Sequence, residues 1–225
     1  MSEIRQLFND TIIYGFSSVL ARILNFLLVP LYTILFIPSE YAIVSEMYAY
    51  AALFMVLGSF GMETAFFRFT ETKKDNSENV FGTAFTFLFF NACLLSFLGL
   101  IFQSQIAKII DHQSHPEYII YFIAIISLDL LSIIPFAKLR QQNKAIKFAT
   151  IKTINIVVNI FFNIFFFLIC PALLKHSIVN PSLLELLYNP TISVGYVFIS
   201  NLIASTITLA ILIPEIQKSM TKPDV

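Results

Sequence analysis

Ten ionisable or amide side chains lie within apolar stretches or at their edges: Arg22, Asn25, Glu46, Glu63, Arg68, Asp129, Lys152, Asn155, Asn159 and Asn163. Spacings of three, four and four put Lys152, Asn155, Asn159 and Asn163 on one face of a helix. Such an asparagine ladder can line a polar passage and bond sugar hydroxyls, or it can hold helices together at about 0.6 kcal/mol per contact. Lys152 extends the stripe with a positive charge, which favours the passage.

Arg22 and Asn25 are three positions apart, with Ser18 four before Arg22, so these three also share a face. Asp129 is flanked by Ser127 and Ser132 and precedes Pro135 by six residues. It can pair with Arg22 or serve as a protonatable group, and the sequence leaves both readings open. Glu46 has Tyr50 one turn further on, as either a functional carboxylate or an interfacial one reaching water. Glu63 and Arg68 share the aromatic stretch GMETAFFRF, residues 61–69.

The surroundings of these residues point to a bilayer. The chain is 57% hydrophobic and 12% charged, against about 25% charged in globular domains. Its mean hydropathy is +0.80. An arginine at mid-bilayer costs about 2.5–3.5 kcal/mol, so such a residue marks a site or a buried pair by default.

A spanning helix needs about 20 mainly apolar residues. Six stretches qualify: 11–36, 41–66, 80–103, 118–137, 150–170 and 191–213. The expected fold is an all-α membrane protein, a six-helix lobe over 1–217 with a short tail at 218–225. Pro30 and Pro135 fall inside spans, where neighbouring helices can satisfy the freed carbonyl. The first apolar run, interrupted by Arg22 and with no small-residue cleavage site after it, reads as a span and not as a removable signal peptide.

Lysine and arginine placement gives an orientation. With the N-terminus inside, Arg5, Arg68, Lys73, Lys74, Lys138, Arg140, Lys144, Lys147, Lys152, Lys218 and Lys222 are cytoplasmic. Only Lys108 and Lys175 lie on the opposite side. Eleven against two predicts that both termini are cytoplasmic. GMETAFFRF then becomes the inner exit of the second span, with Arg68 snorkelling to the headgroups and Glu63 about 7–8 Å deeper. Residues 68–79 form a hydrophilic inner loop, and 171–190 an outer loop with a short interfacial helix at its LLELL segment.

Catalytic signatures are absent. There is no GxSxG, HExxH, GxGxxG or P-loop sequence, so an enzyme or an ATP-driven pump is not expected. His112, His115 and His176 fall in outer loops. Cys93 and Cys170 lie in or beside apolar runs and suggest neither a disulfide framework nor a metal site. Fourteen basic residues balance fourteen acidic ones, giving no bias toward nucleic acid. No cofactor is expected.

The stretch TIIYGFSSVLARILNFLLVPLYTILFIPSEYAIVSEMYAY (11–50), running into GMETAFFRF, resembles the N-terminal part of a bacterial polysaccharide or O-antigen flippase. That family belongs to the multidrug/oligosaccharidyl-lipid/polysaccharide exporter superfamily. The likeness lies in a first helix with a proline near its end, a Pro-Ser-Glu-Tyr turn, and a second helix leaving through Gly-x-Glu-x-Ala-x-x-Arg. Beyond residue 70 it is mainly one of hydropathy and loop length.

The resemblance implies transfer of a polyprenyl-pyrophosphate-linked oligosaccharide across the bacterial cytoplasmic membrane, by alternating access between two lobes. It implies pyrophosphate contacts from Arg22, Arg68 and Lys152, and glycan contacts from Asn25, Asn155, Asn159 and Asn163. Glu46, Glu63 and Asp129 would balance charge or bind the coupling ion. Since the family carries two lobes and six spans make one, the expectation is a truncated or half-size flippase, completed by a second lobe or a second copy. The alternative is a non-transporting scaffold of polysaccharide assembly. A membrane-embedded enzyme acting on lipids is a weaker third reading, for want of a clustered acid/base or metal motif.

Overall fold

A computed structural model describes residues 26–72, 77–113, 115–176, 188–189 and 192–220, with isolated positions at 15, 19 and 23. Among the described residues every regular element is helical. The helices are α1 (Leu28–Leu35), α2 (Pro38–Ser59), α3 (Met62–Thr72), α4 (Ser77–Ile101), α5 (Gln103–Ile109), α6 (Glu117–Gln141), α7 (Ala145–Ile164), α8 (Cys170–His176) and α9 (Gly195–Met220). A π-helical turn, Phe165–Ile169, joins α7 to α8 without a break in the helix.

Five helical stretches are long and apolar enough to cross a membrane: Pro38–Thr72, Asn79–Ile101, Glu117–Gln141, Ala145–Lys175 and Gly195–Met220. They correspond to the second to sixth predicted spans. Of the first predicted span, 11–36, the described part is α1 with a few isolated helical positions, and Arg22 and Asn25 lie outside the described residues. The LLELL segment lies outside them as well.

Several boundaries differ from the sequence reading, the fourth and sixth spans running on to Gln141 and Met220. The second span is divided: Phe60 and Gly61 take left-handed conformations, φ 48° and 64°, ending α2 and restarting the chain as α3. Glycine carries such a φ without penalty, whereas Phe60 pays the usual steric cost of a Cβ there. The predicted inner loop is shorter than 68–79, because α3 continues to Thr72 and α4 begins at Ser77. The fifth span begins earlier and ends later than 150–170, since α7 starts straight after the Gln142–Asn143 turn and Pro171 falls in the first turn of α8. Pro171 closely follows the π turn of this continuous helix, where its missing N–H leaves a carbonyl of the preceding turn without its helical donor.

The centre of the bundle is α6. Half of its most apolar stretch is buried, against 22% for α2–α3, α4 and α7–α8. It packs on α4 and α9, and α9 packs in turn on α7. Leu130, Ile134, Ala137 and Leu139 of α6 are fully enclosed. The α4–α6 seam is close because Gly99 has no side chain: a Cβ there would lie 2.4 Å from Ile123 Cδ1. Polar pairs add to this packing: the Ser96 and Ser127 hydroxyls are 2.7 Å apart across the α4–α6 seam, and the Asn91 amide of α4 donates to the Gly58 carbonyl of α2. In a bilayer, close packing and such bonds hold helices together, because lipid is as apolar as leucine. Outward-facing Ile34, Val56, Phe90, Phe97 and Val157 are exposed, as lipid-facing positions are.

The charged side chains sort to the two ends. At one end Arg140 pairs with Glu63, and Lys147 with Glu215, whose other oxygen is 3.7 Å from Lys144. Lys138 donates to the Ser219 hydroxyl at 2.6 Å. At the other end His112 Nε2 meets Glu46 at 3.2 Å, the Ser193 hydroxyl donates to Glu40 at 3.2 Å, and the Tyr118 hydroxyl donates to the Ile192 carbonyl at 3.2 Å. Arg140, Lys144 and Lys147, which the lysine and arginine count assigns to one side, thus lie at one end of the bundle with Glu63 and Glu215.

Candidate functional site

Between these ends runs a polar track built on α9. Asn201, Ser205 and Thr208 follow one another at four and three residues, a spacing that puts all three on one face. Each meets a different helix. Asn201 Nδ2 donates to the Tyr48 hydroxyl of α2 at 3.2 Å. The Ser205 hydroxyl bonds the Asp129 carboxylate of α6. Thr208 accepts from Asn155 Nδ2 of α7 at 2.9 Å, and its own hydroxyl proton goes to the Ala204 carbonyl at 2.8 Å.

Lys152 stands on the same face of α7 as Asn155, one turn nearer the basic end. Its ammonium lies over the Phe136 ring, 4.2 Å from the centroid, and within electrostatic reach of Asp129. Phe136 is buried, whereas the Lys152 side chain is exposed and Asp129 half-buried. A cation on a ring face gains about 0.5–2 kcal/mol, more as water is removed. The lysine is thus braced by the ring and faces an acid of opposite sign on the adjoining helix.

Towards the other end the α7 stripe closes. Asn163 is 0% exposed, and its carboxamide is occupied on both sides. Oδ1 accepts from the Tyr32 hydroxyl of α1 at 2.7 Å, while Nδ2 donates to the Asn159 carbonyl at 2.8 Å and to Asn159 Oδ1 at 3.0 Å. Tyr32 is itself buried between Phe36, Tyr41 and Phe167. The π turn follows directly and allows Phe166 and Cys170 to face inward after Asn163. Wide turns of this kind often accompany functional positions in helices.

The ten residues singled out by sequence fall into three groups. Asp129, Lys152, Asn155, Asn159 and Asn163 belong to the interior track. Glu63, Arg68 and Glu46 do not: Glu63 pairs with Arg140 at the basic end, and Arg68 is exposed on α3. Glu46, at the far end, accepts from the Tyr50 hydroxyl at 3.0 Å and meets His112. Arg22 and Asn25 lie outside the described residues.

Tyr32, Tyr48, Asn201, Ser205 and Thr208 belong to the track without having been expected there. The α9 stripe was visible as polar residues at four and three within an apolar run. The two tyrosines gave no signal, since tyrosine is common at membrane interfaces for other reasons. Among the described residues no group of three or more His, Cys, Asp or Glu side chains is placed to hold a metal ion. The arrangement offers one carboxylate, one ammonium and a row of amides and hydroxyls, which suits binding and charge compensation. Comparison with protein-family models, curated proteins and solved structures finds no match to this chain.

Proposed function

We propose that this multi-pass membrane protein moves a polyprenyl-pyrophosphate-linked oligosaccharide from the inner to the outer leaflet of a bacterial cytoplasmic membrane, as one lobe of a flippase completed by a second lobe or copy. The observation that carries the reading is the placement of Asp129 and Lys152 on facing helices beside a continuous amide and hydroxyl track. Ionisable groups inside a spanning bundle mark substrate and ion pathways. Lys152 would meet the pyrophosphate as a point charge, Asp129 would balance it when substrate is absent, and the amides would meet glycan hydroxyls. The positive-inside count supports the direction of the basic end.

The test is glycolipid translocation by the full chain in proteoliposomes, read as exposure of the transferred headgroup to an external glycosidase or oxidant. Lys152→Ala and Asp129→Asn should each lower the rate by about tenfold or more, while Lys147→Ala should not. Equal rates in all four proteins would remove the assignment.

One observation favours a second reading, a non-transporting scaffold. Asn163 is fully enclosed with both ends of its amide satisfied within the fold, as an interhelical tie would be. A scaffold would show no translocation in any variant, yet would co-purify with membrane enzymes of polysaccharide assembly.

A further inference from the structure

The bend between α2 and α3 is held against a local cost. Phe60 and Gly61 are consecutive left-handed residues, and Phe60 is 70% exposed, with an edge contact to Phe87 of α4 at 5.9 Å. Nothing crowds Gly61, where a Cβ would meet no atom within 4 Å. A sparsely populated backbone conformation persists only when its surroundings fix it. Here the fixing comes from beyond the joint. Phe66 of α3 is buried with Phe81 of α4 and with Ile134 and Ala137 of α6, and Glu63 pairs with Arg140.

Arg140 does more than pair with Glu63. Its guanidinium lies 5.4 Å from the Phe67 centroid of α3 and 5.6 Å from the Phe148 centroid of α7, so one side chain of α6 joins three helices. Phe148 meets Phe136 edge-on at 5.3 Å, and Phe136 carries Lys152 on its face. One aromatic pair thus has a cation at each end: Lys152 beside the interior track and Arg140 beside α3. The two cations act on each other electrostatically. Each has its own carboxylate, Asp129 for Lys152 and Glu63 for Arg140. Glu215 with Lys144 and Lys147 forms a separate cluster at the same end. Away from water, charges act well beyond contact distance. Net positive charge at the Asp129–Lys152 pair therefore holds Glu63 close, and net negative charge there favours its departure.

We propose that α3 is a hinged latch, turning at Phe60–Gly61 and held shut by Arg140, and that the charge at Asp129 and Lys152 sets how tightly it is held. An equilibrium shifts only by the difference in interaction between its two states, and the pull on Glu63 is that difference. The latch stands apart from the translocation reading, since no substrate enters its test. Under that reading, an anion arriving at Lys152 would loosen α3 as loss of the lysine does.

The test is the distance between nitroxides on Thr72→Cys, at the end of α3, and Ile146→Cys, at the start of α7. It is measured by double electron–electron resonance on the full chain in nanodiscs, with Cys93→Ser. Thr72, Ile146 and Cys93 are exposed, and Cys170 is enclosed. Lys152→Met, which leaves Asp129 negative, should raise the population at longer distance by about threefold or more. Asp129→Asn should not, and the double variant should return to the parent distribution. Glu63→Gln, which alters no interior residue, should by itself open α3 further than Lys152→Met does. A label on Val56→Cys, in α2 before the joint, should keep one distance to Ile146→Cys throughout. Identical distributions in all proteins, or lengthening in both interior single variants, would overturn the coupling. An unchanged distance in Glu63→Gln would overturn the latch, and movement of the Val56 label together with that on Thr72 would overturn the hinge.

Discussion

The Tyr32 hydroxyl donates to Asn163 Oδ1 at 2.7 Å, joining α1 to α7 across 131 residues of chain inside the bundle. Neither group is accessible to water, so each depends on the other for its hydrogen bond. Two polar atoms that would be costly alone become a specific tie between helices that are otherwise apolar where they meet.

Asn163→Leu should therefore lower stability by about 1–2 kcal/mol, since it strands the Tyr32 hydroxyl. Adding Tyr32→Phe should cost less than its single effect, because the stranded group is then gone. Unfolding of the purified protein in mixed micelles, measured for both single variants and the double, gives the coupling. Strict additivity would mean that the two side chains do not interact.

Asp129 and Lys152 are compensating charges, so removing one leaves the other uncompensated in the bundle. Asp129→Asn and Lys152→Met should each impair folding yield more than the combined variant does. A half-buried charge left without its opposite charge costs more than two neutral groups side by side. Monodisperse recovery from the membrane measures this without any transport assay.

Gly99→Leu should destabilise the α4–α6 seam by about 1–3 kcal/mol, because even a Cβ there overlaps Ile123. Ile123→Ala in the same chain should restore much of the loss. A variant as stable as the parent would show that these helices do not approach so closely.

Single cysteines at Gln142 and Asn189 should react with an impermeant maleimide from opposite sides of the membrane. Gln142 is exposed in the α6–α7 turn at the basic end, and Asn189 precedes α9 at the other. The positive-inside count assigns Gln142 to the cytoplasm. The native thiols interfere little, since Cys170 is enclosed and Cys93 lies on the lipid-facing side of α4. Labelling of Gln142→Cys from the outside of intact cells would reverse the orientation.

Hydropathy made the second to sixth spans legible because a bilayer demands length and apolarity before anything else. The asparagine stripe on α7 was equally plain, since a period of three and four survives whatever the stripe packs against. The break after Ser59 was not: Phe60 is a poor residue for a left-handed conformation, and only Gly61 hinted at it. Partners were illegible for a different reason. Nothing local to Glu63 marks Arg140, 77 positions away, as its partner. The polar track was half visible, because α9 shows its own spacing while Tyr48 and Tyr32 join only through tertiary packing.

The wide turn at Phe165–Ile169 acts as a phase shift within one continuous rod. It absorbs one residue more than an ordinary turn, so the segment from Cys170 onward is rotated relative to an unbroken α-helix. An ordinary α-helix over the same five residues would swing Cys170 by about 100° out of its enclosed position, whereas excising a single residue from FFFLI would relax the turn and keep Cys170 on its inward bearing. Its thiol should therefore stay closed to a small membrane-permeant alkylating reagent after that deletion, while the asparagines upstream keep their bearing.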